Sequence, residues 1–438
     1  MASLDPLTEV LGFRRAKHLL RRSSFNYSKE RIDVFATKTP LEAIDLLFAN
    51  TTNYLQYGPY DPSDTANGFW TSLSIDPISF SGVTRKRTQV CGWWWYNAIK
   101  ETSLKHKLTF FLHTSFTVGK DSNSGNARNF YDHLKLLEYY AYGNIKELAK
   151  KITLDNYMLD YLDNTSNNKN NPNENYAREF LELFTILKGP QIGDGNYTNY
   201  TEIDVQQAAR VFSGYKKQID RTFIDVETLI PMGYLKFTQH DIGNKTFSAA
   251  FGGQEITGGT DEVSSFQELD DFVEMVFAQP ATSISYCRKL YRFFVKSEIT
   301  AEVENDIIIP LAQFMVSENY EMIPVITKLL SCKHFYDKDD SDDTDNIIGA
   351  IVKSPLQLIS EVTTMFNLTM PEPPNPTNPN TPFDNPGDPI ADSDGAFQYY
   401  SKFFQQFVHN SFLNGAGFEF FNPDSVAGYP AFYQEPDY

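Results

Sequence analysis

The chain has 438 residues, of which 41% are hydrophobic and 15% aromatic, so it contains enough bulky apolar material to bury a large core. Its formal net charge of −18, with Lys and Arg scattered along the chain, would repel both a phosphate backbone and an anionic membrane surface. No stretch approaches the roughly 20 apolar residues of a membrane-spanning helix. We therefore expect a globular protein with no nucleic-acid partner and no membrane span.

The ends of several helices can be read from their capping residues. Thr39-Pro40-Leu41-Glu42 forms a complete capping box and predicts a helix through Phe48. Gly143 followed by Asn144 predicts that two helices meet at a tight corner. Thr201 precedes apolar residues at i, i+3, i+4 and i+7 spacing and predicts a further helix. The fold class that follows is mainly α, a multi-helix, bundle-like domain.

Two stretches break the helical pattern. Residues 215–259 contain short apolar pieces separated by Gly, Asn and Thr, which predicts a small irregular or β-hairpin insertion. Residues 371–394 are rich in Pro, Asn and Asp and are typical of a linker. We therefore predict a helical core over residues 1–370, this linker, and a C-terminal segment, 395–438, that packs back on the core.

The most distinctive segment is Asn171 to Thr185, because it combines three carboxylates and an arginine on one predicted helix. Its charged residues stand at i,i+3 and i,i+4 spacing and are neighbours on the helix surface; they are Glu174, Arg178, Glu179 and Glu182. Such a cluster could bind a divalent metal or position a general acid and base. The alternative is a capping glutamate with an ordinary ladder of helix salt bridges.

Two histidine positions are further candidates. His113 lies near the end of an apolar helix that begins near Ser103, where a histidine is either a ligand or a hydrogen-bonded core residue. His240-Asp241 lies in the irregular stretch, where the pair could bind a metal or orient a base, although turns also use such pairs. Cys91, Cys287 and Cys332 are far apart and indicate buried thiols without a disulfide framework.

The chain resembles the bacterial domain-of-unknown-function-1800 family over almost its whole length. The resemblance is carried by Leu19–Phe25, Lys107–His113, Phe116–Val118, Asn173–Thr185, Asp204–Arg210, Phe212–Tyr215, His240-Asp241, Lys289–Val295 and Val426–Pro430. The Asn-Glu-Asn-Tyr-Ala-Arg-Glu element at 173–179 is the most distinctive of these. The resemblance brings no established activity with it. Members often have a Trp-His-Asn-His-Phe element where this chain has Leu112-His113-Thr114-Ser115-Phe116, so the second histidine is absent here.

The resemblance also implies a location. Family members are commonly exported and encoded beside a sulfatase-like family, domain of unknown function 1501, whose members carry twin-arginine export signals. The first residues of this chain turn charged at Arg14 and Arg15 without an apolar run, so no secretory signal is visible. We therefore expect the periplasm or cell surface if the chain is exported with a partner, and the cytoplasm otherwise.

Two functions compete at this point. The first is a helical partner subunit of a larger exported or cell-envelope complex, with a sulfatase-like protein as the partner. The second is a metal-dependent hydrolase or modifying enzyme that acts on an extracellular polymer through a Glu/His/Asp pocket. Its candidate catalytic residues are Glu174, Arg178, Glu179, Glu182 and His113, and its candidate ligands for a divalent metal are Glu179, Glu182, His240 and Asp241.

Overall fold

The computed structural model describes residues 2–49, 53–61, 68–72, 80–119, 127–339, 346–351, 353–368 and 372–373. The prediction of a mainly α fold is confirmed, since helices make up most of this part of the chain. The helices are α1 (Gly12–Ser23), α2 (Lys29–Ala36), α3 (Pro40–Ala49), α4 (Phe80–Lys100), α5 (Lys105–Ser115), α6 (Ala127–Tyr139), α7 (Ile145–Ile152), α8 (Asn156–Tyr161), α9 (Glu174–Glu179), α10 (Glu202–Val211), α11 (Glu262–Phe277), α12 (Pro280–Phe294), α13 (Ala301–Val303), α14 (Ile309–Ser317), α15 (Met322–Ser331) and α16 (Pro355–Met365).

The predicted capping residues begin the helices that they were expected to begin. At α3, the Thr39 backbone N–H donates to Glu42 Oε2 over 2.8 Å. At α7, the Asn144 side chain accepts from the backbone of Lys146 and Glu147. At α10, Thr201 forms a capping box with Asp204. These local bonds satisfy backbone donors that a helix start otherwise leaves without partners.

The helix of the distinctive segment is shorter than its apolar pattern predicts. Asn173 is its N-cap, so α9 begins at Glu174. From Phe180 to Phe184 the chain continues as a wider π-type turn. One face of this segment is completely buried, through Tyr176, Ala177, Phe180 and Leu181. The segment therefore belongs to the centre of the core, while its charged residues lie on the other face.

The predicted insertion contains two small antiparallel hairpins. Strand β3 (Tyr215–Lys216) pairs with β4 (Tyr234–Leu235), and β5 (Lys245–Thr246) pairs with β6 (Glu255–Ile256). A further hairpin, β1 (Gln191–Gly193) with β2 (Asn196–Tyr197), was not predicted. Its strands have two or three residues, and β1 is exposed, so no alternation of apolar and polar residues marks it.

The core extends from α1 to α15 and is centred on the helices before the insertion. Helix α6 packs against α4, α5 and α8, and α5 also approaches α12. A second cluster contains the three consecutive tryptophans of α4, Trp93, Trp94 and Trp95, all of which are buried. None of these indole rings is therefore available on the surface for a ligand to stack on.

None of the described helices is both long and apolar enough to cross a membrane.

The predicted linker and C-terminal segment lie outside the described residues, apart from residues 372–373. The proposed division of the chain into core, linker and C-terminal segment stays a prediction.

A buried ion network fastens the insertion to α11. Glu268 of α11 pairs with Lys245 of β5, with 2.6 Å between Oε1 and Nζ, and both side chains are completely buried. The other oxygen, Oε2, lies 3.1 Å from His240 Nε2 and accepts from the Gly259 backbone over 2.7 Å. Removing one member of such a network leaves its partners buried without compensation.

We predict that Glu268→Ala lowers the free energy of unfolding by about 3–5 kcal/mol, because Lys245 would be left buried without its counter-ion and with only the Asp241 carbonyl oxygen as an acceptor. Urea denaturation measures this change. The matched control is Glu274→Ala on the same helix, whose side chain is 63% exposed and pairs with Lys146; it should cost less than about 1 kcal/mol. Equal costs for the two variants would show that the buried network adds no stability.

Candidate functional site

The charged residues of α9 form a solvent-facing ladder. Arg178 donates to both oxygens of Glu202 in α10, at 3.0 and 2.6 Å, and to Glu174 at 3.1 Å. These three side chains are between 34% and 36% exposed. Arg178 lowers the pKa of Glu202, so this carboxylate stays ionised and holds the guanidinium. The ladder fastens α9 to α10.

Glu182 and Glu179 are not partners of Arg178 in the hydrogen bonds of the described residues. Glu182 accepts from the Tyr200 hydroxyl over 3.0 Å and pairs with Lys188. Burial and the neighbouring Glu182 raise the pKa of Glu179, whose Oε2 is buried without a hydrogen-bond partner. Of the three glutamates in the segment, Arg178 thus bonds to Glu174 alone, and its other partner is Glu202 of α10.

His240 and Asp241 have structural partners of their own. The ring of His240 is completely buried, with Nδ1 2.8 Å from the Ser213 carbonyl oxygen and Nε2 against Glu268. Asp241 accepts two hydrogen bonds from Arg210, at 2.9 and 3.0 Å. Both residues therefore hold the insertion in place.

The candidate metal ligands are not brought together into one cluster. No hydrogen bond or ion pair within the described part of the chain joins Glu179 or Glu182 to His240 or Asp241. Across the same residues, no group of three or more His, Cys, Asp and Glu side chains is placed to hold a metal ion. The predicted metal site stays a prediction, without a preformed set of three ligands in the described ranges.

His113 has a different neighbourhood, which we call the imidazole centre and define as His113, His133 and Asp155. His133 of α6 is completely buried, and its Nδ1 lies 2.8 Å from Asp155 Oδ2. A carboxylate only accepts hydrogen bonds, so in the neutral His133 ring Nδ1 carries the proton and Nε2 carries the lone pair. That Nε2 is buried without a hydrogen-bond partner. The ring of His113 lies across from it, with 6.1 Å between the ring centroids and 70° between the planes.

His113 is the member of the centre nearer to solvent. Its side chain is partly exposed, yet its Nδ1 is buried without a partner. Burial and the neighbouring His133 lower the pKa of His113 to about 3. His113 is therefore a neutral imidazole at neutral pH, with one nitrogen that donates a hydrogen bond and one that accepts a hydrogen bond.

Asp132 extends the polar surroundings of the centre toward the insertion. Arg221 donates to Asp132 Oδ1 over 2.9 Å and also to the Thr71 carbonyl oxygen. Burial, with Asp155 nearby, raises the pKa of Asp132 to about 7 although Arg221 acts in the opposite direction. Asp132 and His133 are consecutive residues of α6, so a carboxyl group with a pKa near physiological pH is the sequence neighbour of the buried imidazole.

Other buried histidines show what a purely structural His–carboxylate pair looks like. His334 has both ring nitrogens bonded, Nδ1 to Asp339 over 2.6 Å and Nε2 to the Tyr291 hydroxyl over 2.9 Å. His240 is bonded through both nitrogens as well. His106 contacts Glu101, but its ring packs against Trp94 at 5.4 Å. His133 differs because its unsatisfied nitrogen is beside a second imidazole.

Reasoning from the sequence missed His133 and Asp155. The available signal was the period of α6, in which His133 occupies the buried stripe of Phe130, Leu134 and Leu137 at i, i+3, i+4 and i+7 spacing. A polar ring on an apolar stripe requires a partner. Asp155 resembles a plain helix cap, and it does cap α8 through the Met158 backbone N–H.

We predict that Arg178→Met lowers the free energy of unfolding by no more than about 1 kcal/mol, because the ladder is one-third exposed and water replaces its bonds. Chemical denaturation of Arg178→Met and of Glu202→Gln measures the change in the free energy of unfolding when either partner of the ion pair is removed. A loss of several kcal/mol in either variant would show that this cluster behaves as a buried network.

Comparison with known proteins gives one match. The sequence profile of the family described as "Protein of unknown function (DUF1800)" matches residues 18–436, which is nearly the whole chain. No curated protein and no solved structure matches the chain. The segments that contribute His113, His133 and Asp155 all lie inside the matched range. The chain therefore belongs to the DUF1800 family of proteins of unknown function.

Proposed function

We propose that the chain is an enzyme that performs acid–base chemistry at the imidazole centre, with hydrolysis or modification of an extracellular polymer as its reaction. The observation that carries the proposal is the pairing within the centre. His133 is oriented by Asp155, and its free Nε2 lies beside the neutral imidazole of His113. A positioned base with an orienting carboxylate is the arrangement that general-base catalysis requires.

His133 and His113 have different roles because their surroundings differ. His133 is held rigidly by Asp155 and accepts a proton at Nε2, and the carboxylate stabilises the imidazolium that forms. His113 is partly exposed, and as a neutral imidazole it can accept a proton at one nitrogen while it donates the proton of the other. Its low pKa means that it does not stay protonated between these two transfers. The pair therefore supplies a base and an adjoining proton carrier.

A divalent metal remains part of the proposal as the cofactor. Metal-binding histidines commonly donate their second ring N–H to a carboxylate, as His133 does to Asp155. With an ion bound, the nitrogens of His113 and His133 would be ligands instead of proton acceptors, and the ion would polarise a substrate oxygen or a water molecule. Glu179, Glu182, His240 and Asp241 have other contacts and are not assigned to the centre.

A second candidate function, the partner subunit of an exported or cell-envelope complex, is supported by an exposed apolar segment at residues 219–229. Its side chains are exposed by between 44% and 91%, which is unusual for residues of this type; they are Ile219, Phe223, Ile224, Val226 and Leu229. Contiguous apolar surface of this kind is typical of docking sites. The partner that the resemblance implies is a sulfatase-like exported protein, and the chain would reach the periplasm or cell surface with it.

The enzyme proposal is tested by assaying the full chain against chromogenic esters, glycosides, phosphate esters and sulfate esters, before and after removal of metals by chelation. We expect turnover of one of these classes and a loss of at least about a hundredfold in His133→Ala, because the base would be missing. Asp155→Asn should also lose activity, because its amide can donate to His133 and favour the wrong tautomer.

The matched control is His334→Ala, which removes a buried histidine of an equally close His–Asp pair and should leave the specific activity unchanged. Circular dichroism confirms that each variant is folded. Full activity in His133→Ala contradicts the proposal. If no substrate class is turned over, and if an exported protein is retained by the chain but lost from a Val226→Asp variant, the partner function replaces the enzyme function.

A further inference from the structure

A second cluster of nitrogen-bearing side chains lies at the other end of α5. Lys107 is only 7% exposed, and its ammonium lies 4.5 Å from the ring centroid of Phe25 and 5.7 Å from that of Phe293. The faces of aromatic rings attract a cation but offer no acceptor for its three N–H groups. This amine is therefore held in an apolar cage.

No anion of the described chain compensates this charge. Lys107 forms no ion pair or hydrogen bond with the residues that the structure describes, and the same is true of Arg22 at the end of α1. The Nε of Arg22 is buried without a partner. Arg22 is three residues before Phe25, whose ring the Lys107 ammonium contacts, and the positive charge of Arg22 lowers the pKa of Lys107. Two like charges at a partly buried position are costly unless an anion joins them.

The neighbouring cations show that this arrangement is not a general property of the surface. Arg21 pairs with Glu361, Arg31 donates to the Thr102 carbonyl oxygen over 2.6 Å, and Lys105 pairs with Glu138 over 2.8 Å. These three cationic side chains, which are close to Arg22 or Lys107 in the sequence, are thus all bonded to acceptors.

The lowered pKa values of Lys107 and Arg22 show that the positive charges of these side chains are disfavoured where they lie. Burial and the charge of Arg22 lower the pKa of Lys107 to about 7. Burial and Arg21 lower the pKa of Arg22 to about 10. One turn before Arg22, burial also lowers the pKa of His18 to about 3, and its Nε2 has no partner. A bound anion would reverse the first two of these shifts.

We propose that Arg22 and Lys107 form a binding site for a sulfate or phosphate group, beside the rings of Phe25 and Phe293 that the Lys107 ammonium contacts. A guanidinium offers a fork of donors and an ammonium offers a point charge, which together suit a tetrahedral oxyanion. The residues come from three separate segments that carry the family resemblance, Leu19–Phe25, Lys107–His113 and Lys289–Val295.

The test is calorimetric titration of the full chain with inorganic sulfate and with phenyl sulfate at constant ionic strength. We expect saturable binding of one ion per chain, and at least about a tenfold weaker affinity in Lys107→Met. Lys107→Arg keeps the charge and should retain binding. Tighter binding of phenyl sulfate identifies an ester on an aromatic body, and equal affinity identifies the free ion; both results support the site.

The control is Lys29→Met, which removes an exposed lysine paired with Asp33 and should bind like the wild type. Thermal unfolding shows whether Lys107→Met is folded, and we expect no loss of stability because a buried uncompensated amine has been removed. Absence of saturable binding in the wild type overturns the proposal. Equal affinity in Lys107→Met and the wild type overturns it as well.

Discussion

The hydrogen bond between His133 and Asp155 is the interaction on which the candidate site depends. One oxygen of Asp155, Oδ2, accepts from His133 over 2.8 Å and from the Met158 backbone over 2.9 Å. Asp155 Oδ2 therefore caps the first turn of α8 and also fixes the orientation of the His133 ring in α6. Because the ring is completely buried, this bond also fixes its tautomer and leaves Nε2 free beside His113.

Ionisable side chains have different roles on the surface of this protein and in its interior. The ladder of Glu174, Arg178 and Glu202 is conspicuous in the sequence, yet it is one-third exposed and serves to fasten α9 to α10. The buried imidazole centre is less conspicuous, but its unsatisfied nitrogen gives it a chemical capacity that the ladder lacks. Where burial removes water, a polar atom without a partner is costly and therefore marks a place where a ligand or proton can bind.

The sequence predicted the structural features that depend on residues close together in the chain. Capping residues such as Thr39 and Asn144 are read locally, and the structure confirms their helices. The end of α9 and the hairpin at 191–197 were missed, because a π-type turn and strands of two or three residues leave no period to detect. His133 and Asp155 are separated by 22 residues and meet through the packing of α6 against α8, which no spacing rule encodes.

Nitrogen-15 spectroscopy of the histidine rings in the intact chain tests the imidazole centre most directly. The account predicts that His133 carries its proton on Nδ1 and that His113 stays neutral down to about pH 5, since its pKa is lowered to about 3. Asp155→Asn should move the proton of His133. A proton on Nε2 of His133, or a His113 ring that is charged at about pH 5, would contradict the account.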